Sequence, residues 1–152
     1  ATDVLPETIA KPFPDFAMSS NFCYEYFRMH RGRFVIGGMR WSVPGEEQGI
    51  LADDTDNPAI TENLLGYVRE HFPSLADTAF PHVWTGIMAG TPDGLPLVGA
   101  LPEAPGHHAL CAFNGYGLSF AFLAGRCLAE QLVGGRSDHP ALPLFVPRRL
   151  LG

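Results

Sequence analysis

Two glycine-containing segments in the second half of the chain have the residue types that hold a flat polar ligand through the backbone. Thr91-Pro92-Asp93-Gly94 has Pro second and Gly fourth, which predicts a tight type I turn. Asn114-Gly115-Tyr116-Gly117 ends a strand and opens a helix, whose first N–H groups have no helical acceptor. Because glycine has no Cβ, a ligand can approach such backbone closely. Both segments are candidate ligand-binding turns, and the first also suits an ordinary hairpin.

The Gly115-Tyr116-Gly117 segment is not a dinucleotide-binding fingerprint. In that motif a third glycine follows, but its position here is Phe120. The acidic residue expected about 20 residues further on is also missing. No Gly-x-Gly-x-x-Gly occurs on an opening strand–helix unit elsewhere. The sequence therefore predicts that a nucleotide-binding Rossmann half is absent from this chain.

The elements around these turns predict an α+β fold, an antiparallel sheet with helices. Asn21–Met29 and Arg33–Met39 are aromatic or β-branched runs joined by a short Gly-containing connection, which predicts a hairpin. Apolar residues at helical spacing predict a helix over Pro58–Phe72, N-capped by Thr61. The remaining predicted elements are three strands and a helix: Phe80–Met88, Leu95–Leu101, Ala109–Phe113 and Tyr116–Val133. Two segments are predicted to be irregular, Ala1–Ser20 and Trp41–Asn57.

Composition limits the classes of partner. With 152 residues, 46% hydrophobic and 17% charged, the chain has an ordinary globular composition. The net charge of −6 and the lack of any Lys/Arg run argue against nucleic-acid binding. The apolar stretches are far shorter than the roughly 20 residues that cross a bilayer, and no signal peptide is visible. The expectation is a cytoplasmic protein without nucleic-acid or membrane partners.

The cysteines predict neither disulfides nor a metal site. Cys23, Cys111 and Cys127 are odd in number and widely spaced, so buried, reduced thiols are expected. A metal corner at His107-His108 with Cys111 is disfavoured because adjacent side chains on a strand point to opposite faces.

The order of these pieces resembles the C-terminal end of the FAD-dependent amino acid and amine oxidoreductases, the D-amino-acid oxidase, glycine oxidase and sarcosine oxidase group. An aromatic-led strand from Trp84 enters the Thr-Pro-Asp-Gly turn, and a later strand enters the Gly-x-Gly helix start. The resemblance implies FAD as cofactor, with both segments closing over the flavin. The cofactor-binding residues that it implies are Thr91, Asp93, Gly94, Leu95, Pro96, Asn114, Gly115, Tyr116, Gly117, Leu118 and Ser119. The FAD is expected to be noncovalent because no Cys or His lies between Trp84 and Asp93.

The resemblance also implies a substrate region. The hairpin carrying Tyr26 and Arg28, followed by Gly37-Gly38, is similar to the family's substrate domain, so residues 1–80 are assigned to that domain and 81–152 to the end of the FAD-binding domain. Met88 stands where the amino-acid-oxidising members carry a carboxylate-binding Arg. Tyr26, Arg28 and Met88 are therefore the candidate substrate residues. Simple sheet packing for Tyr26 and a surface ion pair for Arg28 remain open.

Two classes of function follow from the resemblance. In the first, the chain is part of an oxidoreductase that transfers hydride from the C–H next to nitrogen of an amine or amino acid to flavin. It would then need a complementary chain or segment that carries the Rossmann half. In the second, the chain only completes a partner's fold. A small acidic binding module unrelated to flavin is a further alternative, and no catalytic residue is identified.

Overall fold

The computed structural model describes residues 1–21, 24–51 and 56–151. Within these residues the chain divides into two compact units, Ala1–Ile87 and Met88–Gly152. The division falls after Ile87, a few residues beyond the boundary expected at residue 80. The assignment of the units to substrate-binding and FAD-binding domains stays a prediction.

The first unit is a three-stranded antiparallel sheet with a helix. Its strands are β1 (Met18–Ser20), β2 (Glu25–His30) and β3 (Arg33–Gly38), in that spatial order. Its helices are the single turn α1 (Glu7–Ala10) and the longer α2 (Pro58–His71), with 3₁₀ turns at Arg40–Ser42, Pro44–Glu47 and Pro73–Leu75. The predicted hairpin is confirmed. Its two connecting residues, Arg31 (φ 49°) and Gly32 (φ 74°), both have positive φ, as in a type I′ turn.

Alternation along β2 separates the core of the first unit from its other face. Phe27 and Met29 pair with Ile36 and Phe34 of β3, and all four contribute to a core completed by α2. Phe34 is completely buried. Tyr26 and Arg28 lie on the opposite face because successive side chains of a strand alternate. The hairpin thus presents both candidate substrate residues on one surface.

The cap of α2 differs from the prediction. Asn57, not Thr61, precedes the helix, and its side-chain oxygen accepts a hydrogen bond from the Ala59 N–H at 3.0 Å. Thr61 lies inside the first turn. Pro58 occupies the first helical position, where its fixed φ and missing N–H are tolerated. Proline in this position moves the start of the helix upstream of Thr61.

The second unit packs one helix on a two-stranded antiparallel sheet. It contains β4 (Leu97–Ala100), β5 (His108–Cys111), α3 (Gly117–Gly134) and 3₁₀ turns at Leu142–Leu144 and Pro147–Leu150. The core consists of Val98, Ala124, Cys127 and Leu142. The C-terminal segment contacts β4, since the Val98 N–H donates to the Phe145 carbonyl at 2.9 Å.

Two further expectations are wrong. Phe80–Met88 is not a strand, because a strand needs a neighbour to pair its N–H and C=O groups and the described residues provide no strand pairing for this segment. Cys111 is exposed on β5 rather than buried, whereas Cys127 lies on the buried side of α3. Cys23 lies outside the described residues. Ala1–Ser20 and the described residues of Trp41–Asn57 are mainly irregular, apart from α1, β1 and the two short 3₁₀ turns, and residues 52–55 of the second segment lie outside the described residues.

Candidate functional site

The Thr91–Gly94 turn is formed as predicted and is fixed by its own side chains. The Gly94 N–H donates to the Thr91 carbonyl at 3.1 Å, which closes the turn. The Asp93 carboxylate accepts from the Leu95 N–H at 3.1 Å, and the Thr91 hydroxyl donates to the Leu95 carbonyl at 2.7 Å. Gly94 has φ +70° and faces open space, so a ligand can approach its backbone.

Asn114 ties this turn to the start of α3. Its side-chain oxygen accepts from the Thr91 N–H at 3.0 Å, and its side-chain amide donates to the Ala112 carbonyl at 2.7 Å. Its own N–H donates to the Ala89 carbonyl at 3.3 Å. Asn114 has φ +52°, a left-handed conformation that Asn tolerates better than most residues. One side chain therefore brings the two predicted turns together.

The start of α3 presents backbone amides without a side-chain cap. Tyr116 occupies the N-cap position and makes no capping hydrogen bond. The N–H groups of Gly117 and Leu118 are in the first turn, where a helix supplies no acceptor, while the Ser119 N–H donates to the Tyr116 carbonyl at 3.0 Å. The aligned peptide dipoles give this end a partial positive charge. The Leu118 side chain is fully exposed beside it.

Met88 and the Gly115 turn lie in contact. A Cβ on Gly115 would come within 3.2 Å of the Met88 sulfur, and Gly115 has φ +87°. The close Met88 sulfur and the positive φ both favour glycine at position 115. Among the predicted cofactor residues nearby, Pro96 is buried and Leu95 is half-buried. The structure thus places Met88 together with the predicted cofactor residues in the second unit.

The sequence did not single out Arg149, which binds the turn. Its Nε donates to Asp93 Oδ2 at 2.6 Å, and its Nη2 donates to Asp93 Oδ1 at 3.1 Å and to the Leu95 carbonyl at 2.6 Å. The guanidinium holds the pKa of Asp93 well below its usual range, with further hydrogen bonds from the Leu95 amide and Thr91. The Asp93 carboxylate is therefore hydrogen-bonded by groups of this chain. The sequence feature that could have drawn attention to Arg149 is the Pro147-Arg148-Arg149 run.

The other two candidate substrate residues belong to the first unit. The Tyr26 ring covers Gly37 of β3, where an added Cβ would come within 2.6 Å of a ring carbon. Arg28 forms an ion pair with Asp15 at 3.6 Å, and its Nε is buried without a hydrogen-bond partner in the described part of the chain. These contacts fit sheet packing and a surface ion pair, and they leave both Tyr26 and part of the Arg28 side chain exposed.

Neither a metal centre nor a membrane helix is found in residues 1–21, 24–51 and 56–151. No three His, Cys, Asp or Glu side chains in these ranges are grouped as a metal ion needs. No helix there is long and apolar enough to cross a bilayer.

The second unit has the properties that a flavin ring requires. Gly94 leaves the backbone of its turn open, the adjacent Gly115 turn packs against Met88, and the α3 start adds N–H donors and positive potential. The isoalloxazine ring is flat, has polar edges and gains negative charge on reduction. Close backbone approach, amide donors and a positive helix end match these properties.

Comparison with known proteins agrees with this geometry. The family model for FAD-dependent oxidoreductases matches residues 1–131, so the chain belongs to that family. This membership disfavours a small acidic module unrelated to flavin.

Several relatives have names that describe amine or amino acid oxidation. Mitochondrial sarcosine dehydrogenase of Mus musculus is 27% identical over 74% of this chain. D-amino acid dehydrogenase of Vibrio vulnificus is 34% identical over 59%, and glycine oxidase of Pseudomonas aeruginosa is 28% identical over 67%. The chain spans only 13%, 22% and 30% of these relatives, respectively.

A solved structure shares the fold. L-proline dehydrogenase from P. horikoshii superposes with a TM-score of 0.68 over 84% of this chain and 32% of its own, at 23% identity. The likeness supports the mixed helix and antiparallel-sheet architecture. As with the curated relatives, the chain corresponds to about a third of that protein or less.

Proposed function

We propose that this chain is the C-terminal part, or a subunit, of an FAD-dependent oxidoreductase that oxidises an amine or amino acid. In this reaction hydride passes from the C–H next to nitrogen to the flavin. The observation that carries the proposal is the pair of glycine turns joined through Asn114 beside the uncapped start of α3. Family membership supports it independently.

FAD supplies the redox chemistry when it is bound, and the residues of this chain bind and orient it. Gly94 provides backbone that a ring can approach. The amides of Gly117 and Leu118 supply donors at the positive helix end, which favours negative charge on the bound ring. The Asn114 side chain accepts from the Thr91 N–H, and the Thr91 hydroxyl donates to the Leu95 carbonyl, so we assign both side chains to shaping the site. Because no Cys or His lies between Trp84 and Asp93, we propose noncovalent FAD.

The rest of the FAD-binding domain would cover α3. The helix is buried on the side of Ala124 and Cys127, yet Leu118, Phe122 and Val133 are exposed on the other side. Exposed apolar side chains grouped on one side of a helix normally mark a surface that another segment covers. The relatives are at least three times longer than their matched segment. We therefore infer a complementary segment with the Rossmann half, in a partner chain or in a longer form of this one.

For the substrate we propose an amine, or an N-alkylated amine whose anionic end is bound elsewhere, over a simple D-amino acid. Met88 cannot bind a carboxylate, and a lost charge-assisted bidentate contact removes on the order of 2–3 kcal/mol of binding. Arg28 and Arg40 are the alternative cations in the first unit. The sarcosine-oxidising relative supports the choice by its name.

The test is anaerobic reduction of the flavin in the complete, FAD-loaded protein. Sarcosine or polyamine-type substrates should bleach the flavin absorption faster than D-alanine or glycine. Efficient reduction by D-alanine, undiminished in an Arg28→Ala/Arg40→Ala double variant, would refute the substrate proposal. Arg136→Ala, which removes an exposed ion pair with Asp138, is the matched control.

The competing proposal is a chain that completes a partner's fold without contacting the reacting groups. It predicts that Met88→Arg leaves the substrate preference unchanged. Our proposal predicts a shift of this preference toward α-amino acids, because the new guanidinium would adjoin Gly115. Flavin that no amine or amino acid reduces, but that dithionite does, would contradict the proposed reaction altogether.

A further inference from the structure

The contact between Arg149 and the Thr91–Leu95 turn differs from the other ion pairs of the chain. The side chains of Arg149 and Asp93 are 15% and 35% exposed. Every other ion pair in the described ranges joins two side chains that are each at least 41% exposed. Exposed pairs contribute little because water and salt screen them. The Arg149 pair is less exposed than these pairs and is bidentate, the geometry that makes a guanidinium–carboxylate contact specific.

The same guanidinium also contacts backbone on both sides of the pair. Nη2 donates to the Leu95 carbonyl at 2.6 Å, an acceptor that it shares with the Thr91 hydroxyl. Nη1 donates to the Val146 carbonyl at 3.3 Å within its own segment. The C-terminal segment is in turn joined to β4 through Val98 and Phe145. Arg149 therefore connects the turn to a part of the unit that the core already fixes.

The hydrogen bonds continue from this turn to the start of α3. The Leu95 carbonyl accepts hydrogen bonds from Arg149 and from the Thr91 hydroxyl. The Thr91 N–H in turn donates to the Asn114 side chain. Asn114 directly precedes Gly115. A displacement of the Thr91–Leu95 turn would therefore change the spacing between the two glycine segments.

We infer that Arg149 is a positioning residue for the flavin, which fixes the Thr91–Leu95 turn at the distance from Gly115 that the ring requires. This inference rests on the proposed function. Lysine cannot replace arginine in this role, because its ammonium cannot bind both carboxylate oxygens and a carbonyl in one plane. The lowered pKa of Asp93 keeps its carboxylate ionised throughout the neutral range.

The test compares FAD binding by the complete apoprotein in its wild-type, Arg149→Met and Arg149→Lys forms, followed by quenching of FAD fluorescence. Arg149→Met is expected to raise the FAD dissociation constant at least tenfold and to alter the visible circular dichroism of the bound flavin. Arg149→Lys should recover only part of this loss. Arg148→Met, at the exposed neighbouring position, is the matched control and should change the constant less than twofold.

A purely structural role would lower the melting temperature alone. If Arg149→Met melts earlier but binds FAD within twofold of wild type with an unchanged flavin spectrum, the inference is overturned. If Arg149→Met does not fold, Asp93→Asn provides the second variant, since it keeps the shape of the side chain and weakens the same contact. Asp93→Asn and Arg149→Met should not add in the double variant, because both break one contact. Wild-type protein that holds no FAD would instead overturn the proposed function, and this inference with it.

Discussion

Replacing Asn114 should separate the two glycine turns, and a series of substitutions distinguishes its side-chain contacts from its backbone conformation. Asn114→Gly removes all three side-chain hydrogen bonds and accepts the left-handed φ of +52°. Asn114→Ala removes the same bonds and adds a Cβ in an unfavourable conformation. Asn114→Asp keeps the acceptor for the Thr91 N–H but places an oxygen against the Ala112 carbonyl.

The magnitudes follow from these contacts. Asn114→Gly loses a long hydrogen bond of 3.5 Å to the Thr91 hydroxyl, which contributes little, and two short ones of 3.0 and 2.7 Å. At about 0.5–1.5 kcal/mol each, they contribute about 1–3 kcal/mol to local stability. Alanine in the left-handed region costs about 1–2 kcal/mol more. We expect Asn114→Ala to destabilise the site by about 2–5 kcal/mol, and by more than Asn114→Gly.

Hydrogen–deuterium exchange of the complete protein measures this locally, because amides exchange through opening of their own segment. Peptides that cover 89–95 and 112–117 should exchange faster in the order wild type, Asn114→Gly, Asn114→Ala. Asn63→Ala, which removes a 2.7 Å hydrogen bond to Ser42 in the first unit, is the control and should leave these peptides unchanged. Equal exchange in all three Asn114 forms would refute the connecting role of this side chain.

Three further outcomes are expected. Gly125→Ala should stabilise α3 by about 1 kcal/mol in urea unfolding, since its methyl would meet Leu110 at an ordinary 3.8 Å. A loss of stability would show that the close helix–strand contact requires glycine. The lowered pKa of Asp93 means that its stabilising contribution is complete above the unfolded pKa of 3.8 and is lost as pH falls below it. The difference in melting temperature between wild type and Asp93→Asn should thus be constant near neutrality and shrink below about pH 4. Acid precipitation of the loaded protein should leave the yellow colour in the supernatant, and colour in the pellet would indicate a covalent flavin.

Local patterns predicted the parts of the fold that local interactions determine. The β2–β3 hairpin follows from two β-prone runs around a Gly-containing connection, and the Thr91–Gly94 turn follows from its Pro and Gly. The N-cap of α2 was also a local question. Pro58, a typical first residue of a helix, indicated Asn57 as the N-cap, whereas the Thr61-Glu62 pattern indicated Thr61.

Long-range contacts account for what the sequence did not predict. Arg149 and Asp93 are 56 positions apart, and no spacing rule joins an arginine in a Pro-rich tail to a turn. Asn114 and Thr91, 23 positions apart, were each predicted to bind cofactor, and their mutual hydrogen bond was missed. Phe80–Met88 has the composition of a strand, but composition does not supply the partner with which a strand pairs.

The most direct test of the central claim is calorimetric titration of FAD into the complete protein and into the isolated chain. The pyrophosphate of FAD normally binds to the first strand–helix unit of the Rossmann half. The complete apoprotein should therefore bind one FAD tightly, and the chain alone should bind weakly or not at all. Micromolar or tighter binding by the isolated chain, or a complete protein that binds no FAD, would contradict the account.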